Sequence, residues 1–217
     1  MLRHTYELLN LGVVSIKKLE EKDADNVHKF LARTFYKDEP LHGGHPPPPI
    51  EDYWVLKALP QGYSLKVTDA DGNIVGVSIN MDYDKLPAPP KPDTEELQKV
   101  DELMELVFGK IDDIQDLLDI HILAVDPLWR KRGLAGYLCD HTERIAKENG
   151  FKAVSILSTS IFSAKIAESR GYRCRYKIRY DRYLDADGKP IFNVPPPHTA
   201  VAIYVKILDD SYYCGSP

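Results

Sequence analysis

The spacing of apolar positions changes several times along the chain, and each change marks an element. Residues 11–19 hold Val13, Val14 and Ile16 in a short β-branched run and read as a strand. Over residues 22–35 the period shifts. Ala24, Val27, Phe30, Leu31 and Phe35 recur at three and four, which predicts a helix. Residues 50–59 read as a shorter helix. Two strands follow, 63–69 and 74–82, joined by the hairpin signal Asp69-Ala70-Asp71-Gly72-Asn73. Leu97, Val100, Leu103, Met104 and Val107 share one face of a helix over 94–109, capped by Asp93 or Thr94. Ile120, Ile122, Leu123, Ala124 and Val125 form the most apolar run and read as a buried strand. After a basic turn, Leu134, Leu138 and Ile145 mark a helix that ends at Asn149-Gly150. Its residues Glu143, Arg144, Lys147 and Glu148 fall on the wet side.

The remaining pattern is a strand at 152–157, a helix from about 161 to 169, a long alternating strand at 173–183 and a last strand at 200–208. Ser158, Thr159 and Ser160 supply cap chemistry for the helix, which stops at Gly171. Strand and helix patterns alternate in the middle and close on a hairpin, so the expectation is one mixed α/β domain over residues 1–217. Prolines punctuate it. Pro40 discourages the helical region at Glu39, and Pro127 stops the strand after Asp126. Residues 42–49 hold two Gly and four consecutive Pro and read as a loop on the substrate side. Residues 86–92 read as a Pro-rich linker.

Composition narrows the class. Hydrophobic content of 43% and charged content of 28% are ordinary for a globular protein. A formal net charge of -5 argues against nucleic acid as a partner. No apolar run approaches a membrane span, and residues 1–10 have no apolar leader core. Cys139, Cys174 and Cys214 are widely spaced and read as reduced thiols. These features lead us to expect a monomeric, cytoplasmic protein with no membrane or nucleic-acid partner. No group of His, Cys or Asp has zinc spacing, so no metal is expected. Asp69 and Asp71 do not fit a calcium loop, because Gly72 comes too early and the twelfth-position carboxylate is missing.

The candidate chemistry starts at the basic turn Arg130-Lys131-Arg132-Gly133-Leu134-Ala135-Gly136. A helix N-terminus presents free N–H groups and partial positive charge, Gly133 permits close approach, and three basic side chains add to both. Together these make a pyrophosphate cradle; the plainer reading is a solvated surface turn. Arg130-x-x-Gly133-x-Ala135, following a strand that ends in Val125-Asp126-Pro127, resembles the acetyl-CoA motif of the GCN5-related N-acetyltransferases. Residues 35–41 (FYKDEPL), residues 160–165 and Pro197-His198 are similar to segments of the invertebrate arylalkylamine and polyamine N-acetyltransferases.

The resemblance implies a central mixed sheet, splayed between the fourth and fifth strands and flanked by helices. It implies acetyl-CoA as co-substrate and a small primary amine as acceptor, either an arylalkylamine such as dopamine, serotonin or tyramine or a polyamine such as agmatine or putrescine. It places a general base on Glu39, whose plainer reading is a solvated carboxylate with Asp38 as rival. It places a hydroxyl near the thioester on Ser163, otherwise a helix-start residue. His198, otherwise structural, is placed at the amine site. A backbone N–H near Leu123, Ala124 or Val125 would polarise the thioester carbonyl. Many relatives carry a Tyr acid four residues before the glycine; here that position is Ala167. His121 reads as structural or cofactor-adjacent, and Tyr36, Tyr53, Trp54, Tyr180 and Tyr183 are candidates for a pocket wall. An acyl-CoA-binding module without catalysis and a protein lysine acetyltransferase are the alternatives.

Overall fold

A computed structural model describes residues 4–7, 13–41 and 45–208. Eight strands form one sheet in the order β1-β2-β3-β4-β5-β6-β8-β7. The first five are β1 (His4–Glu7), β2 (Val13–Lys18), β3 (Leu65–Thr68), β4 (Ile74–Met81) and β5 (Leu117–Val125). The others are β6 (Ala153–Ser158), β7 (Arg173–Arg179) and β8 (Ala200–Ile207). Four helices flank them: α1 (Ala24–Asp38), α2 (Glu95–Phe108), α3 (Leu134–Glu148) and α4 (Ile161–Ser169). Neighbouring strands are antiparallel except β5 and β6.

That one parallel pair is short. Leu117, Leu118 and Asp119 face Ala153, Val154 and Ser155. Beyond Asp119, β5 continues against β4, and beyond Ser155, β6 continues against β8. The sheet therefore opens like a V whose crotch lies at Asp119 and Ser155. Because β1 adds a strand that the apolar pattern did not mark, the opening falls between the fifth and sixth strands of the chain. β5 also carries a bulge: Ile79 faces Ile122 while Asn80 faces Ile120, which leaves His121 without an opposite residue.

Apolar clusters lie on both faces. Val27, Phe30 and Leu31 of α1 pack with Val77, Ile79, Ile122 and Ala124. Leu134, Leu138 and Ile145 of α3 pack with Val14, Ile16, Val67 and Val75. Thr94 caps α2, its hydroxyl accepting from Leu97 N–H at 3.2 Å, and Gly150 ends the α3 turn at φ 81°.

Four expectations are corrected. Residues 50–59 form two 3₁₀ turns, Ile50–Asp52 and Trp54–Gln61, instead of a helix; Pro60 sits inside the second. The strand expected over 173–183 ends at Arg179, where Tyr180–Arg182 turns and buries the Tyr180 ring. Glu143 is not on the wet side, because Lys206 reaches over from β8 and binds its Oε2 at 2.7 Å. Tyr36 and Tyr53, expected as pocket walls, are buried core residues. Residues 42–44 of the Pro-rich loop and Cys214 lie outside the described residues.

Candidate active site

Three segments meet at the open end of the V. The first is the end of α1. Glu39 is the residue at which the helix stops, with extended dihedrals of φ -72° and ψ 119°, as the following proline demands. Its half-buried carboxylate accepts from the Thr159 hydroxyl at 2.9 Å and from Leu41 N–H at 3.3 Å. Burial pushes its pKa up to about 7, with both hydrogen bonds opposing the rise. Asp38 is different: it is half-exposed and paired with Arg130 at 2.6 Å.

The second segment is the turn from β6 into α4. Ser160 caps the helix by accepting from Ser163 N–H at 3.1 Å. The Ser163 hydroxyl lies 2.8 Å from Ser158 Oγ and 2.9 Å from Ser160 Oγ, within 3.1 Å of Ser160 O. Tyr180 donates to Thr159 O at 2.6 Å and fixes the turn that presents Thr159 to Glu39. His198 Nδ1 accepts from Ile161 N–H at 3.3 Å, and burial lowers its pKa, so the ring is neutral in this role. A cavity of ≈ 390 Å³ borders His198, with Tyr180, Phe192 and Val194 on its wall. The carboxylate on that wall, Asp181, is held by Arg179 in two bonds of 2.9 and 2.7 Å. Ala167 is fully buried in the core, so no acid stands at that point.

The third segment is the loop from β5 to α3. Asp126 accepts from Leu128 N–H at 3.0 Å and pairs with Arg33 of α1. Lys131 and Gly133 both have positive φ, 60° and 86°. No atom lies within 4 Å of where a Gly133 side chain would begin. The first helical bond of α3 runs from Tyr137 N–H to Gly133 O at 3.0 Å. The N–H groups of Leu134, Ala135 and Gly136 therefore have no intrahelical acceptor. This geometry suits a diphosphate approaching backbone. The side chains contribute less than the sequence promised. Arg130 is spent on Asp38 and on Val125 O at 3.0 Å, and Arg132 lies over the Trp129 ring. Leu123, Ala124 and Val125 pair with Ser78, Val77 and Gly76 along one edge of β5. Their other edge faces the V.

A titratable cluster at the crotch was not foreseen. Asp119 accepts from the Ser155 hydroxyl at 2.5 Å and from Tyr83 at 3.4 Å, and the Tyr83 oxygen lies 2.8 Å from His121 Nδ1. Burial raises Asp119 to about 7 and lowers His121 to about 4. The available signal was an Asp inside an apolar run, two residues before a His. Among the described residues, no group of three or more His, Cys, Asp or Glu could hold a metal ion. Nor is any described helix long and apolar enough to cross a membrane.

The sequence model of the Acetyltransferase (GNAT) family matches residues 25–172, from the start of α1 to the end of α4. The chain belongs to that family. Enzymes of the family use acetyl-CoA as co-substrate, and the matched region holds the opening of the sheet and the loop from β5 to α3. Among solved structures it is similar to arylalkylamine N-acetyltransferase 2 from Aedes aegypti. The identity is 28% and the TM-score 0.80, covering 90% of this chain and 99% of that one. It is also similar to a Drosophila melanogaster polyamine N-acetyltransferase that catalyses formation of N-acetylagmatine. There the identity is 25% and the TM-score 0.74, covering 89% of this chain and 99% of the other.

Proposed function

We propose that this acetyltransferase transfers the acetyl group of acetyl-CoA to a small primary amine by direct attack in a ternary complex. The observation that carries the reading is Glu39: a carboxyl withdrawn from water, brought to about 7, and hydrogen-bonded across to the β6–α4 turn. A primary alkylammonium has a pKa of roughly 10, so few amines are nucleophilic at neutral pH. Glu39 accepts the proton as the amine nitrogen bonds to the thioester carbon. The carbon–sulfur bond then breaks, and the thiolate leaves with the bonding pair. Ser163 is the hydroxyl placed to donate to the carbonyl oxygen or the departing sulfur, at the expense of its bond to Ser160 O. Residues 131–136 hold the diphosphate through backbone N–H groups, and the open edge of β5 near Leu123–Val125 polarises the carbonyl. His198, neutral and bonded to the start of α4, borders the amine site.

The cavity beside His198 favours an arylalkylamine tail. The Tyr180 and Phe192 rings stand on its wall beside Arg179, Asp181, Asn193 and Thr199, and Arg179 pairs with Asp181. A binding module without catalysis would have no use for a carboxyl brought to about 7 at the end of α1. The test is an amine panel with acetyl-CoA, read by thiol release. Turnover with tyramine- or dopamine-like amines above agmatine and putrescine supports the reading. Absence of thiol release with every amine would refute it.

A further inference from the structure

The first turn of α3 has a cation beside it that the motif does not contain. A side chain begun at Gly136 would overlap the guanidinium of Arg170. Arg170, from the end of α4, therefore lies against the α3 backbone in the space a Cβ would fill. Gly136 is not a positive-φ glycine, so its dihedrals do not ask for glycine. Glycine inside a helix costs roughly 0.5–1 kcal/mol relative to alanine, and here the packing of Arg170 explains it. The root of Arg170 is fixed, since its carbonyl accepts from Lys206 Nζ at 2.8 Å. Its end is not: the nearest paired carboxylate, Asp140, is 3.4 Å away and both side chains are partly exposed. A guanidinium so placed lies against the backbone of Gly136, in the first turn of α3, with Asp140 as its partner at 3.4 Å.

We propose that Arg170 is a phosphate-binding residue for the acyl-CoA substrate. It pairs with Asp140 in the free protein and with the diphosphate when that substrate is bound. This rests on the acetyltransferase reading and adds to it a residue from another helix. Arg130 is tied to Asp38, and Arg170 adds a side-chain charge from another helix. A planar guanidinium suits a diphosphate because it donates two parallel hydrogen bonds.

The test is calorimetry with CoA and with 3′-dephospho-CoA on the full chain. Arg170→Gln should weaken both ligands equally, by about tenfold to a hundredfold. Gly136→Ala, which displaces the guanidinium without removing it, should weaken both in the same direction. Asp140→Asn removes the competing carboxylate and should tighten both severalfold, an effect a purely structural role for Arg170 would not produce. The pair Arg170→Gln/Asp140→Asn should behave as Arg170→Gln alone. Unchanged affinity in a folded Arg170→Gln variant overturns the proposal, and so does a loss confined to the ligand with the 3′-phosphate. Wild-type protein that binds neither ligand brings down the acetyltransferase reading itself, whereas wild-type binding with an inert Arg170 brings down this inference alone.

Discussion

Replacing Glu39 by glutamine keeps its size and removes its basicity, and the structure gives two separate readouts. The first is activity. With a pKa of about 7, roughly half of Glu39 is ionised at neutral pH, so wild-type kcat/KM should show an inflection near pH 7. Glu39→Gln should lose that inflection and fall by about tenfold to a thousandfold near neutrality. The deficit should shrink as pH approaches the amine pKa. The second readout is stability. The folded pKa is raised above the ordinary 4.5, so folding favours the protonated form. Below about 4.5 both folded and unfolded states are protonated and burial costs nothing extra. As pH climbs from there through 7, the folded state must hold a charge it disfavours, and wild-type stability declines. A rise from 4.5 to about 7 corresponds to a ceiling of about 3.5 kcal/mol at roughly 1.4 kcal/mol per pH unit. Glu39 is only half-buried, so about 1–2 kcal/mol is the working figure. Glu39→Gln should thus melt about 2–8 °C above wild type at pH 8 and no higher at pH 4. The assays are a pH–rate profile by thiol release and thermal melts at both pH values. Superimposable pH–rate profiles would remove Glu39 from the mechanism. Equal melting at pH 8 would refute the account of its raised pKa.

Other residues give sharper single outcomes. Asp38→Asn should leave the inflection near pH 7 in place, since Asp38 is an exposed partner of Arg130; its disappearance would transfer the base to Asp38. Ser163→Ala should lower kcat more than it raises the amine KM, and wild-type kcat would leave Ser163 a packing residue only. Gly133→Val should weaken acetyl-CoA binding in a folded protein, because valine is strained at a φ of 86° and its branches enter the open space before α3; calorimetry with unchanged affinity would remove the phosphate cradle. His198→Ala should raise the amine KM while sparing acetyl-CoA affinity, measured by steady-state kinetics and calorimetry respectively.

Much of the scaffold was legible because it follows from local rules. Apolar periodicity marked α1, α2 and α3, Pro40 marked the place where Glu39 leaves the helix, and Ser160 was marked as the cap of α4. Three kinds of feature were not legible. Turns such as 180–182 interrupt an alternating pattern only because Tyr180 finds a distant acceptor, Thr159 O. Ion pairs such as Asp38–Arg130 join residues far apart in the chain, so nothing near Arg130 reveals that its charge is spent. The bulge at His121 and the opening of the sheet depend on which strands pair, and periodicity carries no pairing information. Glu39 was reached through family likeness; its carboxyl's separation from water came only from α1 and the β6–α4 turn closing around it.

The three-residue ladder between β5 and β6 has a consequence for amide exchange. Residues 120–125 lie in the middle of an eight-stranded sheet yet keep a ladder on one side only. Successive backbone N–H groups of a strand point to opposite edges. Their protection should therefore alternate, with amides bonded to β4 exchanging slowly and those facing the V exchanging like the free margin of a sheet. An interior strand with the exchange signature of an outer one would reveal the opening in solution, and its loss on addition of acetyl-CoA would trace the substrate along the strand residue by residue.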